Sequence, residues 1–320
     1  MDLPQITKDK KSHCLLCGGQ MGVALSGLAD NRLGSPGQYS IAQCSHCGFL
    51  QTKPAPGQQE LKQLYETYYN FAGESGTIWT KLRKIFFNSL AFRLWIVVDG
   101  DISFHLNQGQ GRLLDIGCNE GRGLKIYQRN GYTAEGLELN ERAAQIARMT
   151  GCRVYTQTLE EFQPKEPYDI VVLSNVLEHS SNPKNMLDNV RRVLKPGGHA
   201  WISCPNSQSW LRRLFGRSWI NWHVPFHLFH FSKKTLIQLL ENSGFEIKDL
   251  KFVTPSHWVT QSILATIFEK PGQKTRQLRN PFLVGFLMIL CRFFSPLLWL
   301  GNLTGNGDCL VVEAVSMLKT

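Results

Sequence analysis

The sequence predicts an α/β chain: a doubly wound, mostly parallel sheet, preceded by a small cysteine-rich module and interrupted late by an apolar helical insertion. Three observations carry this. From Gly111 onward, short apolar segments alternate with amphipathic ones, as strands and covering helices must. Gly111-Arg112-Leu113-Leu114-Asp115-Ile116-Gly117-Cys118-Asn119-Glu120-Gly121-Arg122-Gly123 reads as a buried strand, a glycine turn and a helix start. Near the N-terminus, two Cys-x-x-Cys pairs stand 26 residues apart.

The bulk properties bound the partners. A chain of 320 residues accommodates one large α/β domain plus a small module. Its formal charge of +10 favours anionic partners: a nucleotide-linked molecule, a phospholipid surface or nucleic acid. Met1 to Lys11 is polar and lysine-rich and does not read as a signal peptide, so a cytoplasmic chain is expected.

Residues 1–57 are expected to form a zinc-binding module. Zinc favours four thiolates in a tetrahedron, and Cys14, Cys17, Cys44 and Cys47 offer two from each turn. Gly18 and Gly48 follow the two pairs and supply the backbone freedom such a knuckle needs. A disulfide pair or a duplicated redox motif is the weaker alternative in a chain without a secretion signal. Cys118, Cys152, Cys204, Cys291 and Cys309 are scattered and read as reduced core or site-lining residues. A helical linker over residues 58–106 follows, with Leu61, Leu64, Tyr65 and Tyr68 at helical spacing. After a glycine break at Gly73 to Gly76, Ile78 to Phe87 mixes bulky apolar side chains with Lys81, Arg83 and Lys84. That stretch suits a helix packed on the next domain or one lying on an anionic membrane.

The core is expected over residues 107–253. Its strands are Arg112–Ile116, Thr133–Glu138, Arg153–Tyr155, Tyr168–Leu173, His199–Cys204 and Phe245–Val253, and residues 308–320 return as a seventh. Tyr168–Leu173 is almost wholly apolar, so both its faces should be buried. Helices are expected at Leu124–Asn130, Glu141–Thr150, Pro183–Leu194 and from Ser232 to Asn242, where Ser232 caps and Gly244 closes. The insertion, residues 254–307, centres on Phe282 to Leu300, apolar all round except for Arg292, Ser295 and Pro296. An arginine at a bilayer centre costs about 2.5–3.5 kcal/mol, and the seventh strand must return to the sheet, so a true span is disfavoured. A buried dimer helix and a monotopic membrane hairpin both remain open.

Asp115 to Gly121 resembles the D-x-G-x-G-x-G motif of class I S-adenosylmethionine-dependent methyltransferases, with Asn119 at the middle glycine. Asparagine tolerates left-handed backbone better than other non-glycine residues. Glu138, in Gly136-Leu137-Glu138-Leu139-Asn140, lies 23 residues after Asp115 and suits a ribose diol. Val193-Leu194-Lys195-Pro196-Gly197-Gly198 resembles the turn before that family's fifth strand, and Ser174-Asn175-Val176-Leu177-Glu178-His179 the segment after its fourth. Cys44 to Pro56, with Leu61 and Tyr65, is similar to a zinc module fused to methyltransferases of saccharide and natural-product pathways. Pro225 to Ser232 resembles a P-x-H-L-x-H-F-S segment of the same group.

The resemblance implies a Rossmann-like seven-stranded sheet in the order 3-2-1-4-5-7-6 with the last strand antiparallel. It implies S-adenosyl-L-methionine as cofactor, contacted by Asp115, Gly117, Cys118, Asn119, Gly121, Glu138, Thr158, Leu159 and Ser174, and structural Zn²⁺ on the four module cysteines. The methyl of a sulfonium is already activated, so the protein supplies mainly positioning and a base. His179, leaving the fourth strand, is the candidate base or acceptor-positioning residue; Glu178, His227 and His230 are candidates for the acceptor pocket. Asn175 stands where some members carry the first acid of an E-x-x-E-H metal segment, which counts against a catalytic metal.

The leading expectation is therefore a methyltransferase acting on a small-molecule, nucleotide-sugar or lipid-linked saccharide acceptor of anionic character, at or near the inner face of a membrane. Arg212, Arg213 and Arg217, interleaved with Trp210, Phe215, Trp219 and Trp222, give an RNA methyltransferase as the alternative. A non-catalytic scaffold with a degenerate cofactor pocket is the third reading, and a homodimer through the insertion a further partner expectation.

Overall fold

The computed structural model describes residues 13–68, 85–87, 89–270 and 273–317; the readings for Met1–Lys11, Tyr69, Gly73–Gly76 and Ile78–Lys84 lie outside them. The chain begins with an antiparallel meander, β1 (Met21–Leu28), β2 (Tyr39–Cys44) and β3 (Leu50–Lys53). Helix α1 (Gln58–Thr67) leaves it, and α2 (Leu90–Asp99) starts on Ser89, whose side chain accepts the Phe92 N–H.

The large sheet follows: β4 (Arg112–Ile116), α3 (Arg122–Arg129), β5 (Thr133–Leu137), α4 (Glu141–Met149), β6 (Arg153–Tyr155), β7 (Tyr168–Ser174), α5 (Pro183–Val193) and β8 (Leu194–Pro205). Side-chain caps mark the helix starts. Asn140 accepts the Ala143 N–H and Asn182 the Asn185 N–H, with Pro183 in the first turn where a missing N–H is harmless. The short α6 (Trp210–Phe215) and β9 (Phe229–His230) precede α7 (Lys233–Asn242), which opens on a reciprocal Ser232–Thr235 capping box. Then come β10 (Phe245–Val253), the inserted helices α8 (Ser256–Phe268), α9 (Pro281–Cys291) and α10 (Ser295–Leu303), and β11 (Cys309–Ser316).

The seven strands lie in the order β10-β11-β8-β7-β4-β5-β6, with β11 antiparallel to both neighbours. Numbered by appearance in this sheet, that is the expected 3-2-1-4-5-7-6. Most strand and helix ends in the core fall within two residues of expectation; the start of its fifth strand does not. β8 starts at Leu194, not His199, because Lys195 to Gly198 are absorbed as a bulge between the pairings Tyr168↔Leu194 and Ile170↔His199. Lys195 Nζ, 2.7 Å from Asp169 Oδ1, pins that bulge.

Alternate residues of each central strand enter two cores, as a sheet covered on both faces requires. Leu114, Val171, Leu173 and Ile202 pack with Leu187, Val190 and Leu239 of α5 and α7. Leu113, Val172, Trp201 and Val311 pack with Leu124, Ala144, Trp258 and Val284 on the other face. A feature absent from the sequence reading is that β9 pairs antiparallel with β3, so the meander is completed by the large domain.

Within the insertion, α8 is largely buried, whereas α9 and α10 bury only Val284, Cys291, Leu298 and Gly301. Arg292, between them, pairs with Asp99 and lies 4.6 Å over the Trp95 ring. Pro281–Leu303 is, by length and composition, apolar enough to cross a membrane.

Candidate functional site

The turn after β4 lies at the carboxyl ends of β4 and β5. Gly117, Asn119 and Gly121 all have left-handed backbone, with φ of 72°, 49° and 74°. At Gly117 a side chain is also excluded by space, since a Cβ would sit 2.9 Å from Val176 Cγ2. Asn119 shows how a non-glycine residue holds the middle position: its own Oδ1 accepts the Glu120 N–H at 2.8 Å.

Glu138 brackets this turn. Its Oε2 accepts the Asn119 N–H at 2.9 Å and its Oε1 the Asn140 N–H at 2.8 Å. A carboxylate has about four acceptor positions, so each oxygen retains a lone pair for a ligand hydroxyl. Asp115 is buried on β4, with Oδ2 beside the first turn of α3 at Gly123. Burial, and secondarily the Glu138 charge, push its carboxyl up to about 8. An acid in so costly a position, next to a helix N-terminus, fits a site where a polar ligand replaces lost water. The donors and acceptors present thus match a ribose diol and a charged nucleoside.

The other expected cofactor residues are placed less uniformly. Cys118 is buried with its sulfur against the Gly136 backbone. Ser174 Oγ donates to the Ile102 carbonyl and lies 3.0 Å from Ser103 Oγ, so it ties β7 to the linker. Thr158 caps its own turn through the Glu161 N–H, and the Leu159 side chain lies in the core.

The Gly117–Val176 contact joins this turn to the segment after β7, where Leu177–His179 form one helical turn. His179 Nδ1 lies 3.0 Å from the Phe226 carbonyl and 2.9 Å from Tyr65 Oη. A carbonyl only accepts, so Nδ1 carries the proton and Nε2 the lone pair. Burial lowers the imidazole to about 4, partly offset by that carbonyl, so it is neutral at neutral pH. The His227 ring stands 4.6 Å away, its Nδ1 2.7 Å from the Asn221 carbonyl. Glu178 is 1% exposed; neither carboxyl oxygen has a hydrogen-bond partner, and Oε1 lies 3.9 Å from His227 Nε2. Burial raises this acid to about 8. Glu178, His179 and His227 each place a ligand-type atom within 4.8 Å of the others. His230 stands further out, its Nε2 3.0 Å from Thr52 Oγ1 of the meander. The structure adds Tyr65 and His223 to this cluster, the latter with its ring 4.9 Å from that of His227. Tyr65 reads in the sequence as a helix position and as part of the module resemblance, not as a neighbour of His179.

The four module cysteines converge. Cys14 Sγ lies 3.6 Å from Cys47 Sγ and Cys17 Sγ 3.5 Å from Cys44 Sγ. Zinc–sulfur bonds of ~2.3 Å give tetrahedron edges of ~3.8 Å, so the set fits that ion. Gly19 permits the approach, because a Cβ there would meet Cys44 Sγ at 2.9 Å. Beside the module runs a groove of two cavities, about 380 and 640 Å³, sharing Ala24, Gln43, Gly48 and Gln208. Its charged lining is Arg212, Arg213 and Lys234, with no carboxylate.

Residues 97–250 match the family described as a methyltransferase domain. The chain is 33% identical over 124 residues to the ubiquinone biosynthesis O-methyltransferase of Klebsiella pneumoniae subsp. pneumoniae, covering 36% of this chain and 51% of that protein. The protein of the same name from Salmonella arizonae is 28% identical over 166 residues, covering 48% and 61%. The chain thus spans about half the length of the curated relatives it matches. A solved 4+2 cyclase, SpnF, superposes with a TM-score of 0.50 at 18% identity, over 83% of this chain and 99% of that one, a likeness of fold alone.

Proposed function

For a chain whose residues 97–250 match the family described as a methyltransferase domain, we propose transfer of a methyl group from S-adenosylmethionine to an anionic small-molecule acceptor, a nucleotide sugar or a lipid-linked saccharide. One observation carries this: Glu138 pins the glycine turn through two backbone N–H groups and keeps acceptor positions for a diol, while Gly117 ties that turn to the His179 segment. S-adenosylmethionine supplies, when bound, a methyl already activated on a sulfonium. The chain's own residues do the rest. Glu138 and the turn N–H groups orient the nucleoside. His179, with Nδ1–H held by the Phe226 carbonyl, offers Nε2 to the acceptor's proton, and Tyr65 Oη fixes the ring plane. Zinc on Cys14, Cys17, Cys44 and Cys47 has a structural role, since all four thiols are spent on coordination.

Two observations support an anionic acceptor: the groove beside the module, whose charged side chains include no carboxylate, and Arg212 of its lining, which lies 5.7 Å over the Trp222 ring. Contact with the inner face of a membrane belongs to the same reading and would bring a lipid-linked acceptor within reach. The RNA reading is weakened because Trp219 and Trp222 are 1% and 3% exposed and so unavailable to stack on bases. The test is calorimetric titration with S-adenosylhomocysteine, followed by labelled methyl transfer to cell-envelope saccharide fractions. Micromolar binding with labelled glycan or glycolipid supports the proposal. Binding without label in any fraction refutes the acceptor class, and no binding up to millimolar concentration leaves only a scaffold.

A further inference from the structure

The inserted helices present an apolar face larger than the fold needs. Ten of the 24 exposed large apolar side chains among the described residues fall between Phe282 and Leu303, and Phe293 is 78% exposed. One side of α9 and α10 is packed through Val284, Cys291 and Leu298; Phe282, Phe286, Phe293, Trp299 and Leu303 occupy the open side. Helix α2 adds a stripe at helical spacing, Leu90, Leu94, Val97 and Val98, and is joined to the insertion by the Arg292–Asp99 pair. Scattered surface leucines need no explanation, but a contiguous set of this size does.

The charges around this face choose its occupant. From Lys270 to Gly307 there are five basic residues, Lys270, Lys274, Arg276, Arg279 and Arg292, and no acidic one. Arg292 is neutralised by Asp99 and shielded by the Trp95 ring, so the charge nearest the apolar centre is already compensated. Of the rest, Lys270 and Arg276 are exposed and make this flank basic. A two-fold contact between copies of a +10 chain would bring like-charged flanks together, whereas an anionic bilayer pairs with them and accepts the aromatic side chains at its interface. The face cannot cross the bilayer. Residues along α9 and α10 are packed against the domain, and Asn302 is held to Thr254 at 2.6 Å, so both helices stay with the sheet.

We propose that α9 and α10, with α2 beside them, form a monotopic docking surface that lies in the plane of an anionic phospholipid bilayer, Phe282, Phe286, Phe293 and Trp299 entering the acyl boundary and Lys270 and Arg276 engaging the headgroups. This deepens the membrane part of the function proposed above, but its test needs neither cofactor nor acceptor, so it stands or falls apart from methyl transfer. The full chain is sedimented with vesicles of phosphatidylcholine alone and with vesicles in which one lipid in three is phosphatidylglycerol, at low and high salt. The expected result is binding to the anionic vesicles, weakened by salt. It should be lost in the double variant Phe286→Glu/Phe293→Glu and reduced about fivefold or more per charge in Lys270→Glu/Arg276→Glu. Both pairs are exposed, and thermal unfolding within a few degrees of the parent checks that the fold is kept; the charge pair still decides the matter if the aromatic pair unfolds. Equal partitioning of parent and variants overturns the proposal. So does a parent that stays in solution with both vesicle types, or one that instead forms a dimer abolished by the aromatic pair.

Discussion

Replacing Glu138 by glutamine keeps the size of the side chain and removes one acceptor and the charge. In the structure the two carboxylate oxygens hold the Asn119 and Asn140 N–H groups at 2.9 and 2.8 Å. Glutamine can satisfy one of them and must turn its NH₂ toward the other, donor against donor. Hydrogen bonds to a charged group contribute ~1.5–3 kcal/mol. Partial exposure puts this one at the lower end, so the apoprotein should lose roughly 1–2 kcal/mol and melt a few degrees lower. Cofactor binding should suffer separately, because the diol loses a charged acceptor. A further ~1.5–3 kcal/mol corresponds to a Kd for S-adenosylhomocysteine roughly 10- to 100-fold weaker. The assay is calorimetric titration of parent and variant well below either melting temperature, with Glu141→Gln on the adjacent exposed turn as control. If Glu138→Gln binds within about threefold of the parent, the bracket is only structural and the assignment of the ribose site fails.

Three further outcomes follow from the same geometry. His179→Asn and Tyr65→Phe should leave S-adenosylhomocysteine affinity unchanged and lower kcat, by about 100-fold or more for the first and roughly tenfold for the second; equal losses in binding would place both residues outside the proton path. Asp115 is raised to about 8 by burial and by Glu138, so it is neutral in the folded chain where the unfolded chain is ionised. Its contribution to stability is whole below about pH 4 and is lost as pH rises through about 8, so Asp115→Asn should flatten this part of the stability profile, read from urea midpoints across that range. The purified chain should carry one zinc by elemental analysis, and Cys44→Ser should lose it together with several degrees of thermal stability; a metal-free parent with unchanged melting would remove zinc from the description.

The strands and the glycine turn were legible because both depend on local pattern, whereas the sheet order came only with the family resemblance. The central strands β4 and β7 are short, mostly apolar runs that end on turns, and Glu138 is found by counting to the tip of the second strand. The four cysteines were legible for the same reason, each pair being one knuckle. What escaped depends on contacts across long stretches of chain. Tyr65 and His179 are 114 residues apart and meet only because α1 returns over the segment after β7. Nothing in Phe229-His230 marks it as a fourth strand of the meander, since two residues carry no period. The sequence offers Glu178 only as a candidate for the acceptor pocket; its backbone carbonyl accepts the Leu228 N–H and its carboxyl has no hydrogen-bond partner, which no local pattern reveals.

That pairing of β9 changes what the cysteine module is for. Thr52 on β3 donates its hydroxyl to the His227 carbonyl at 2.6 Å, and its N–H to the Leu228 carbonyl at 3.0 Å. The same hydroxyl lies 3.0 Å from His230 Nε2, and because it is already donating, it accepts from that nitrogen. Leu228 in turn donates to the Glu178 carbonyl, beside His179. The knuckle at Cys44–Cys47 leads directly into Leu50, the first residue of β3, so a path of backbone bonds runs from the four thiols to the histidine cluster. Zinc coordination by the module would, by fixing β3, also fix the register of the 227–230 loop, and through it the face that an acceptor would meet. An independent appendage would need no such bonds. Their presence makes the module one wall of the candidate site, which is why its loss should be felt in acceptor turnover more than in cofactor affinity.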